Sequence, residues 1–402
     1  MGAAAVITVV GLDGSALDPG AAAAVAAATL VVGGRGHLDA VRPAPGARTV
    51  VLGPLAPALD ALAAHPGDAV VLASGDPGFF GILRALLERG LACTVVPAVS
   101  SVARAFARAG LPWDDAQVVS AHGRDPRRAV NVCRAHPKVA VLTGPGAGPA
   151  EIGAALAGWQ RRLVVAESLG SPAERVTECS PAEAAARGWE DPNVVLVLGD
   201  RPPGSGPGWR WPPAACPAGP GGWALAEACF GQRGAVITKA EVRALALARL
   251  GPAPGTLVWD VGAGTGSVGI ECARFGAAVI AIERDPGRGE LVRANARRHG
   301  ADVRLVAGEA PAALAGLPQP DAVFVGGGGT AAAAAAAARR PARIVAALAA
   351  VERAGPVRGA LTAAGYAVDG ALVQSARLVP LPGGAHRLDP VNPVFLLWAG
   401  LS

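Results

Sequence analysis

The sequence is poor in the side chains with which proteins stack on nucleic-acid bases. Its 402 residues include one tyrosine, and aromatic residues make up 4% of the chain, so few stacking groups are available. No dense basic tail is present, and the formal net charge is +5. A mild positive charge suits an acidic small molecule or a solvated arginine-rich surface as well as nucleic acid. Nucleic acid therefore stays open as a partner but is unsupported.

Cysteines are also few, and they are scattered along the chain. The six are Cys93, Cys133, Cys179, Cys216, Cys229 and Cys272. No two of them have C-x-x-C spacing and no histidine cluster accompanies them, so neither a metal site nor a redox pair is indicated. We expect no metal cofactor and a reduced, cytoplasmic setting.

The sequence lacks an apolar stretch that is long enough to span a membrane. The run at residues 6–10 has no basic residues before it and predicts a first strand, not a signal peptide. The alanine-rich stretch 21–32 is too short to cross a bilayer. It follows Asp18-Pro19, a pair that is typical of the start of a helix. We therefore expect a soluble protein with no membrane partner.

Length and composition predict two α/β domains joined by a linker. A chain of 402 residues is too long for one ordinary core. In residues 1–200, β-branched runs alternate with stretches of helical spacing, which is the pattern of α/β layering. Residues 201–230 are rich in proline and glycine and predict a linker. Residues 231–402 repeat the alternation and predict a doubly wound, Rossmann-like domain.

The predicted strands of both domains can be stated from these runs. In the first domain they are residues 7–10, 49–52, 69–72, 93–96, 139–142, 163–165 and 194–198. In the second they are residues 257–260, 278–282, 303–306 and 322–325. In a doubly wound sheet the ligand binds at the carboxyl ends of the strands, so the site of the second domain should follow these runs directly.

A glycine-rich turn, residues 260–266, follows the first predicted strand of the second domain. Glycines there let the backbone approach a ligand closely, and the helix that begins near Ser267 offers its N-terminus to a carboxylate. Glu283 ends the next strand, where it could accept hydrogen bonds from ribose hydroxyls. Glu309 follows the third strand and could hold an adenine amino group. The residues expected to bind this ligand are Asp260, Gly262, Ala263, Gly264, Thr265, Gly266, Glu283 and Glu309.

The turn has three interpretations: a dinucleotide site, a methyl-donor site, or a tight turn that binds nothing. Residues 264–269 also satisfy G-x-G-x-x-G, the dinucleotide fingerprint, but a single match of that kind is weak. Asp260 stands beside the turn, where a pyrophosphate would be repelled and a sulfonium tolerated. With Glu283 in place as well, we favour S-adenosylmethionine as the ligand. The D/N-P-P-aromatic motif of amine methylases is absent after the fourth strand, where residues 326–329 are all glycine.

Flanking segments relate the second domain to a known family. Residues 237–243, 259–268, 281–284 and 320–328, with 382–388 and 392–395 near the end, occur in the order typical of it. They resemble the decarboxylating methyltransferase half of precorrin-6Y (or cobalt-precorrin) C5,15-methyltransferases, which act in cobalamin biosynthesis. The first domain resembles the tetrapyrrole methylase half of the same fused enzymes. The segments that carry this second resemblance are 31–38, 73–77, 100–102, 111–115, 120–124 and 167–170.

The resemblance implies two S-adenosylmethionine-dependent C-methylations of a tetrapyrrole. The first domain would methylate C5, and the second would methylate C15 and remove carbon dioxide from an acetate side chain. In the first domain Gly75, Asp76, Ser100 and Ser101 would border the donor. The candidates for contact with the acidic substrate are Lys239, Arg243, His386, Arg387, Arg35, His37, His122 and Arg124. Both halves of the family tend to associate, so we expect a homo-oligomer.

Three departures from the family pattern leave alternatives open. Residues 11–15 stand where the family has G-x-G-P-G, and residues 97–99 stand where Pro-Gly precedes the paired serines. Residues 347–352 replace an Asn-Ala-Val-Thr-Leu-Glu stretch and so remove an asparagine and a threonine. A tetrapyrrole-binding protein with one inactive half is therefore one alternative. An RNA or DNA methyltransferase is the other, because the donor fold is shared.

Overall fold

The computed structural model describes residues 6–123, 125–199, 222–232 and 237–401. The chain folds into two α/β halves. The strands of the first half are β1 (Ile7–Leu12), β2 (Leu30–Gly33), β3 (Arg48–Val51), β4 (Ala69–Ser74), β5 (Cys93–Val96), β6 (Gln117–Ser120), β7 (Lys138–Leu142), β8 (Arg162–Glu167), β9 (Arg175–Cys179) and β10 (Asn193–Leu198). Its helices are α1 (Pro19–Ala27), α2 (Arg35–Val41), α3 (Leu55–Ala63), α4 (Leu83–Glu88), α5 (Ser101–Ala109), α6 (Pro126–Ala135), α7 (Pro149–Ala155) and α8 (Pro181–Ala185).

The first half contains two five-stranded sheets. One has the order β3-β2-β4-β1-β5, and all of its strands are parallel. The other has the order β6-β7-β10-β8-β9, in which β6 and β7 are the only neighbouring strands that pair in parallel. Strands β4 and β10 carry continuous apolar runs, because helices or the other sheet cover both of their faces.

The second half is a single seven-stranded, doubly wound sheet with a separate hairpin. Its strands are β11 (Leu257–Val261), β12 (Ala278–Glu283), β13 (Arg304–Ala307), β14 (Ala322–Val325), β15 (Arg343–Leu348), β16 (Tyr366–Val373), β17 (Ala376–Pro380), β18 (His386–Pro390) and β19 (Val394–Leu401). Its helices are α9 (Ala240–Leu250), α10 (Ser267–Arg274), α11 (Pro286–Arg298), α12 (Gly329–Ala338) and α13 (Ala354–Ala363). The sheet order is β13-β12-β11-β14-β15-β19-β16, with β19 antiparallel to both of its neighbours.

Alternating residues of β11 supply two separate cores. Trp259 packs with Ile280 and Val323 on one face of the sheet, whereas Val258 packs with Val279 and Phe324 on the other. A strand that is buried on both faces has a continuous apolar sequence. For this reason residues 257–260 could be predicted as a strand. The predicted α/β fold class is confirmed, and every predicted strand lies on or overlaps an observed one.

The alanine-rich stretch 21–32 was expected to begin with a helix, and it does. Asp18 Oδ1 accepts a hydrogen bond from Ala21 N at 2.9 Å, which satisfies one of the free N–H groups at the start of α1. The helix ends at Ala27, and the chain turns at Ala28 into β2 because Val31 and Val32 are needed in the sheet core. No helix in the described part of the chain is long and apolar enough to cross a membrane.

Part of the predicted linker packs against the second half. Of residues 201–230, those up to 221 lie outside the described residues. In the remainder, Leu225, Cys229 and Phe230 are buried against Ile270 and Ala296. Glu271 accepts hydrogen bonds from the backbone N–H groups of Ala224 and Leu225. We therefore propose that the second domain begins before the boundary at 231 that was predicted from composition.

The two halves contact each other through buried groups. Trp159, in the first half, belongs to a buried core cluster whose other members, including Leu314 and Leu317, lie in the second half. Asn131 on α6 donates hydrogen bonds to Gly255 O at 3.1 Å and to the Asp321 carboxylate at 3.3 Å. These contacts join the halves at the amino ends of β11 and β14, opposite the ends where the glycine-rich turn lies.

Replacing Trp159 with alanine is expected to uncouple unfolding of the two halves. Removing a buried tryptophan costs about 3–5 kcal/mol, and here that loss falls on the contact between the halves. Differential scanning calorimetry of the full chain should show the transition splitting into two. Trp113→Ala is the control, because Trp113 is 41% exposed and stacks on Phe106 within the first half. An unchanged transition in the Trp159 variant would contradict this prediction.

Candidate functional site

The glycine-rich turn of the second half lies at the carboxyl end of β11, packed against the loop after β14. Gly262 has a φ of +72°, and a Cβ on it would lie 2.7 Å from Gly327 N. The predicted turn and the glycine run at 326–329 therefore meet, and glycine on both sides lets the two backbones touch. Helix α10 starts directly after the turn, at Ser267. Its N-terminal N–H groups thus face the same edge of the sheet.

Asp260 organises this turn from inside the protein. Its side chain is 1% exposed, and its Oδ2 accepts a hydrogen bond from Gly269 N at 2.9 Å. Its Oδ1 has no hydrogen-bond partner among the described residues. The pKa of the Asp260 carboxyl is raised from 3.8 to about 7, mainly by burial. The hydrogen bond from Gly269 lowers this pKa, and the charge of Glu283 raises it. Asp260 therefore links β11 to the first turn of α10 through its hydrogen bond to Gly269. Because its pKa is raised, the carboxyl group holds a proton more readily than an exposed aspartate does.

Asp260→Asn should remove a pH-dependent loss of stability. A carboxyl whose pKa is raised by folding contributes stability that is fully present below its ordinary pKa of 3.8 and is lost as the pH rises through about 7. Asparagine can keep the bond to Gly269 and does not titrate. The melting temperature of the variant relative to the natural chain should therefore increase between about pH 5 and about pH 8. A constant difference across that range would show that burial does not raise this pKa.

Glu283 lies beside the turn, as the sequence predicted. Its Oε2 accepts a hydrogen bond from Gly264 N at 2.8 Å, and its Oε1 accepts one from Asp285 N at 2.9 Å. A carboxylate has about four lone-pair positions, so each oxygen can accept one further hydrogen bond. Glu309 follows β13 in the neighbouring loop, where it is exposed and forms an ion pair with Arg284 at 2.8 Å. Its expected role toward an adenine group stays a prediction.

Asn295 on α11 supports the turn and was missed in the sequence. Its Nδ2 donates hydrogen bonds to Thr265 O at 2.9 Å and to Gly231 O at 3.1 Å, and its Oδ1 accepts one from Gly231 N at 2.6 Å. It is 2% exposed. A single asparagine within a helix carries no local signal of this role, because its partners lie 30 and 64 positions away.

The structure corrects the prediction that Arg243 contacts substrate. Its side chain is completely buried, and its Nε donates to Glu271 Oε1 at 2.7 Å. The guanidinium also donates to the backbone oxygens of Thr238 and Leu225. With no exposed surface, Arg243 holds residues 222–232 against α9 and α10 and is not available to a ligand. Lys239, by contrast, is half-buried at the N-terminal cap of α9.

His386 and Arg387 lie on β18, in the exposed hairpin that β17 and β18 form. Arg387 pairs with Asp389 at 2.7 Å on the same strand. Both side chains are solvent-accessible, so contact with a substrate at this surface stays a prediction.

A large cavity occupies the first half, where the strand ends of its two sheets face each other. Its volume is about 920 Å³. Several expected residues line it, together with others that the sequence did not single out. Its polar and glycine lining residues include Asp13, Ser15, His37, Ser74, Gly75, Ser101, Arg104 and His122. A cavity of this volume lies at the upper end of the range for small-molecule sites.

The residues predicted to border a donor in this half lie around one turn. Gly75 has a φ of +62°, and its N–H donates to Leu12 O at 2.6 Å. Asp76 turns back to accept a hydrogen bond from Gly78 N at 2.8 Å. Ser100 caps α5 by accepting one from Ala103 N at 3.1 Å, and Ser101 lines the cavity. The structure thus brings the Gly75 turn and the start of α5 together.

Four residues were expected to recognise an acidic substrate in this half. His37 and His122 line the cavity, and His37 Nε2 is 3.0 Å from Ser74 Oγ. Burial lowers the pKa of His37 below its usual 6.5. Arg35 begins α2 and does not line the cavity. Arg124 lies outside the described residues.

The altered loop 11–15 keeps the close backbone contact of a glycine-rich turn. A Cβ on Gly11 would overlap the carbonyl oxygen of Gly75 and lie 2.6 Å from Ala98 N. Asp13, in the same loop, forms an ion pair with Arg104 at 3.0 Å inside the cavity. Sequence reasoning missed this pair, because the two residues are 91 positions apart.

Comparison with known proteins agrees with both halves. Residues 10–185 match the model of the tetrapyrrole (corrin/porphyrin) methylases, and residues 228–399 match that of the precorrin methyltransferase domain. A Sinorhizobium protein named precorrin-6Y C(5,15)-methyltransferase [decarboxylating] is 39% identical over 80% of this chain and 78% of its own length. The chain belongs to this family. As a member, it is a methyltransferase.

Two shorter relatives of this precorrin methyltransferase chain are each named for methylation at one carbon. A Salmonella typhimurium protein named cobalt-precorrin-7 C(5)-methyltransferase is 34% identical over 48% of this chain and 100% of its own length. Another protein of that organism, named cobalt-precorrin-6B C(15)-methyltransferase (decarboxylating), is 37% identical over 40% of this chain and 87% of its own length. The fused family member thus resembles two separate enzymes.

Proposed function

We propose that this chain methylates precorrin-6Y, or its cobalt form, at C5 and C15 and removes carbon dioxide from an acetate side chain. S-adenosylmethionine would serve as the methyl donor in each half. The observation that carries the proposal is the 39% identity to a relative of that name over 80% of the chain, a share that includes parts of both halves. The alternatives of an RNA or DNA methyltransferase and of a binding protein with one inactive half have no comparable support.

The residues of the second half suit this donor. The donor supplies an electrophilic methyl group on a positively charged sulfur. The turn 262–266 would let backbone lie against it, and the N-terminus of α10 would face its carboxylate. Glu283 has one free acceptor position on each oxygen for the ribose hydroxyls. The carboxyl group of the buried Asp260 would lie near the positive sulfur, which a carboxyl group does not repel.

The first half would use a different arrangement. The Gly75 turn and the start of α5, with Asp76, Ser100 and Ser101, would border the donor there, next to the cavity of about 920 Å³. This half would methylate C5, and the second half would methylate C15 and carry out the decarboxylation. The matches of the tetrapyrrole methylase model to residues 10–185 and of the precorrin methyltransferase model to residues 228–399 support this division.

The protein's main contribution would be alignment and exclusion of water. The meso carbons of a reduced tetrapyrrole are electron-rich and enamine-like, so they attack the methyl group without strong activation by a base. Holding the two reactants in line is then a large source of rate enhancement. The substrate carries several carboxylates, and the net charge of +5 would favour their approach. We also propose that the enzyme works in the cytoplasm as a homo-oligomer.

Mass spectrometry of the reaction product tests the proposed function. The full chain is incubated with S-adenosylmethionine carrying a labelled methyl group and with precorrin-6Y, and in parallel with its cobalt form. We expect two labelled methyl groups in the product and one equivalent of carbon dioxide. Total RNA and genomic DNA serve as competing acceptors. Label in nucleic acid with none in the tetrapyrrole would overturn the proposal, and so would a tetrapyrrole that binds but gains no methyl group.

A further inference from the structure

The cavity of the first half is short of positive charge for a substrate with many carboxylates. Among the described residues that line it, Arg104 is the only arginine or lysine, and the remaining groups that can carry a positive charge are His37 and His122. Burial lowers the pKa of His37, so this imidazole is mostly neutral near pH 7. The permanent charge available to an acidic side chain in this cavity is therefore that of Arg104.

Arg104 lies one turn into α5, close to the Gly75 turn and the paired serines. Its Nη2 donates to Asp13 Oδ2 at 3.0 Å, and its side chain is 20% exposed. The guanidinium carries five N–H groups, and the bond to Asp13 is its only hydrogen bond among the described residues. Its other N–H groups are therefore not engaged by protein acceptors there, and the side chain lines the cavity. A planar guanidinium with two parallel donors matches a carboxylate in geometry as well as charge.

The surrounding loops leave room for this guanidinium. A Cβ on Gly170 would overlap Nη1 of Arg104, so only glycine at this position lets the arginine lie where it does. Gly170 is fixed in turn, because its N–H donates to Glu174 Oε2 at 2.7 Å. Glu174 itself pairs with Arg108, one turn further along α5. Glu174 is thus paired with Arg108, whereas Arg104 is paired with Asp13.

Asp13 can release Arg104 at low cost, because it has other partners. Its Oδ1 accepts hydrogen bonds from Ser15 N at 3.0 Å and from the Ser15 hydroxyl. The bond from the Ser15 hydroxyl is the main reason why the pKa of Asp13 lies below 3.8, and the charge of Arg104 contributes less. A buried acid that loses its only partner is strongly destabilised. Asp13 would keep its hydrogen bonds from Ser15 and so would not be left without a partner.

We propose that Arg104 is the residue that binds an acidic side chain of the tetrapyrrole in the first half, and that Asp13 is its partner only until substrate arrives. On binding, a substrate carboxylate takes the place of Asp13 at the guanidinium, and Asp13 keeps its bonds to Ser15. This inference rests on the proposed function. It assigns substrate recognition in the cavity to Arg104, whose partner Asp13 lies in the loop that departs from the family's glycine-rich pattern.

The test compares Arg104→Ala with Arg108→Ala in the full chain. Both arginines lie on α5 and each pairs with one carboxylate, but only Arg104 lines the cavity. C5 methylation by the Arg104 variant should show a KM raised about 10- to 100-fold, the loss expected for one charged hydrogen-bonded contact, with kcat little changed. Arg108→Ala should leave this KM unchanged. Binding of two equivalents of S-adenosylmethionine per chain reports that both halves of each variant are folded.

Asp13→Asn tests the exchange of partners. Because the variant removes the competing carboxylate, its KM for C5 methylation should stay equal to or fall below that of the natural chain. A KM raised as much as in Arg104→Ala would show that Asp13 is needed to orient the arginine, and this would overturn the exchange. Equal KM values for Arg104→Ala and the natural chain would overturn the recognition role. Failure of the natural chain itself to methylate C5 would count against the proposed function instead.

Discussion

We expect Gly262→Ala to reduce the release of carbon dioxide by about 100-fold or more and to reduce donor binding from two equivalents per chain to one. Gly262 has a φ of +72°, a conformation that costs other residues roughly 1–2 kcal/mol. A Cβ there would also lie 2.7 Å from Gly327 N and 2.8 Å from Gly327 Cα. Both are backbone atoms, so the turn itself has to move. A shift of that kind at a site that aligns reactants can cost about 100-fold in rate.

Gly316→Ala is the matched control for the Gly262 variant. Gly316 has a φ of +73° in the same half of the chain, and a Cβ on it would meet nothing within 4 Å. The control therefore carries the same backbone strain without the clash. Isothermal titration with S-adenosylmethionine counts the sites, and trapped carbon dioxide reports turnover. Two bound equivalents and normal carbon dioxide release in the Gly262 variant would show that the turn is not the donor site of this half.

Gly11→Ala should have the reciprocal effect: methylation at C5 is lost and carbon dioxide is still released. A Cβ on Gly11 would overlap Gly75 O and lie 2.6 Å from Ala98 N. The alanine would therefore push the end of β1 away from both the Gly75 turn and the segment that leads into α5. Since the proposed donor site of the first half lies between these elements, we expect C5 methylation to fall by about 100-fold or more.

Gly53→Ala is the corresponding control in the first half, since a Cβ there would meet nothing within 4 Å. Site-resolved analysis of the methylated product separates the two reactions. Normal C5 methylation by the Gly11 variant would mean that the altered loop 11–15 does not position this site. Loss of both reactions would mean instead that the two halves do not act independently.

The fold was largely predictable because its signals are local. Strands such as β11 and β14 are buried on both faces, so their apolar runs stand out from the helical spacing on either side. The strands that were not predicted are β2, β6, β9 and β15 to β19. In β18 every residue is exposed, so no apolar pattern distinguishes this strand from a loop. In β16 only Tyr366 is buried, and exposed and partly buried residues follow it.

The candidate sites were predictable only where a motif is contiguous. The turn at 260–266 could be found in this way, since its glycines and Asp260 are neighbours in sequence. Asn295 and the Asp13–Arg104 pair could not, because folding brings their partners together from 30 and 91 positions away. Arg243 shows the reverse error: its charge and helical position suggested a ligand contact, but Glu271 neutralises it in the core. The sequence shows where charge lies but not which charges are already paired.

The most direct test of the two-site account is the position of the transferred methyl groups. Precorrin-6Y is converted by the full chain with S-adenosylmethionine whose methyl carbon is isotope-labelled, and the product is examined by NMR. The account predicts one labelled methyl at C5 and one at C15, with C5 lost in Gly11→Ala and C15 lost in Gly262→Ala. A single labelled position in the product of the natural chain, or loss of the same position in both variants, would contradict it.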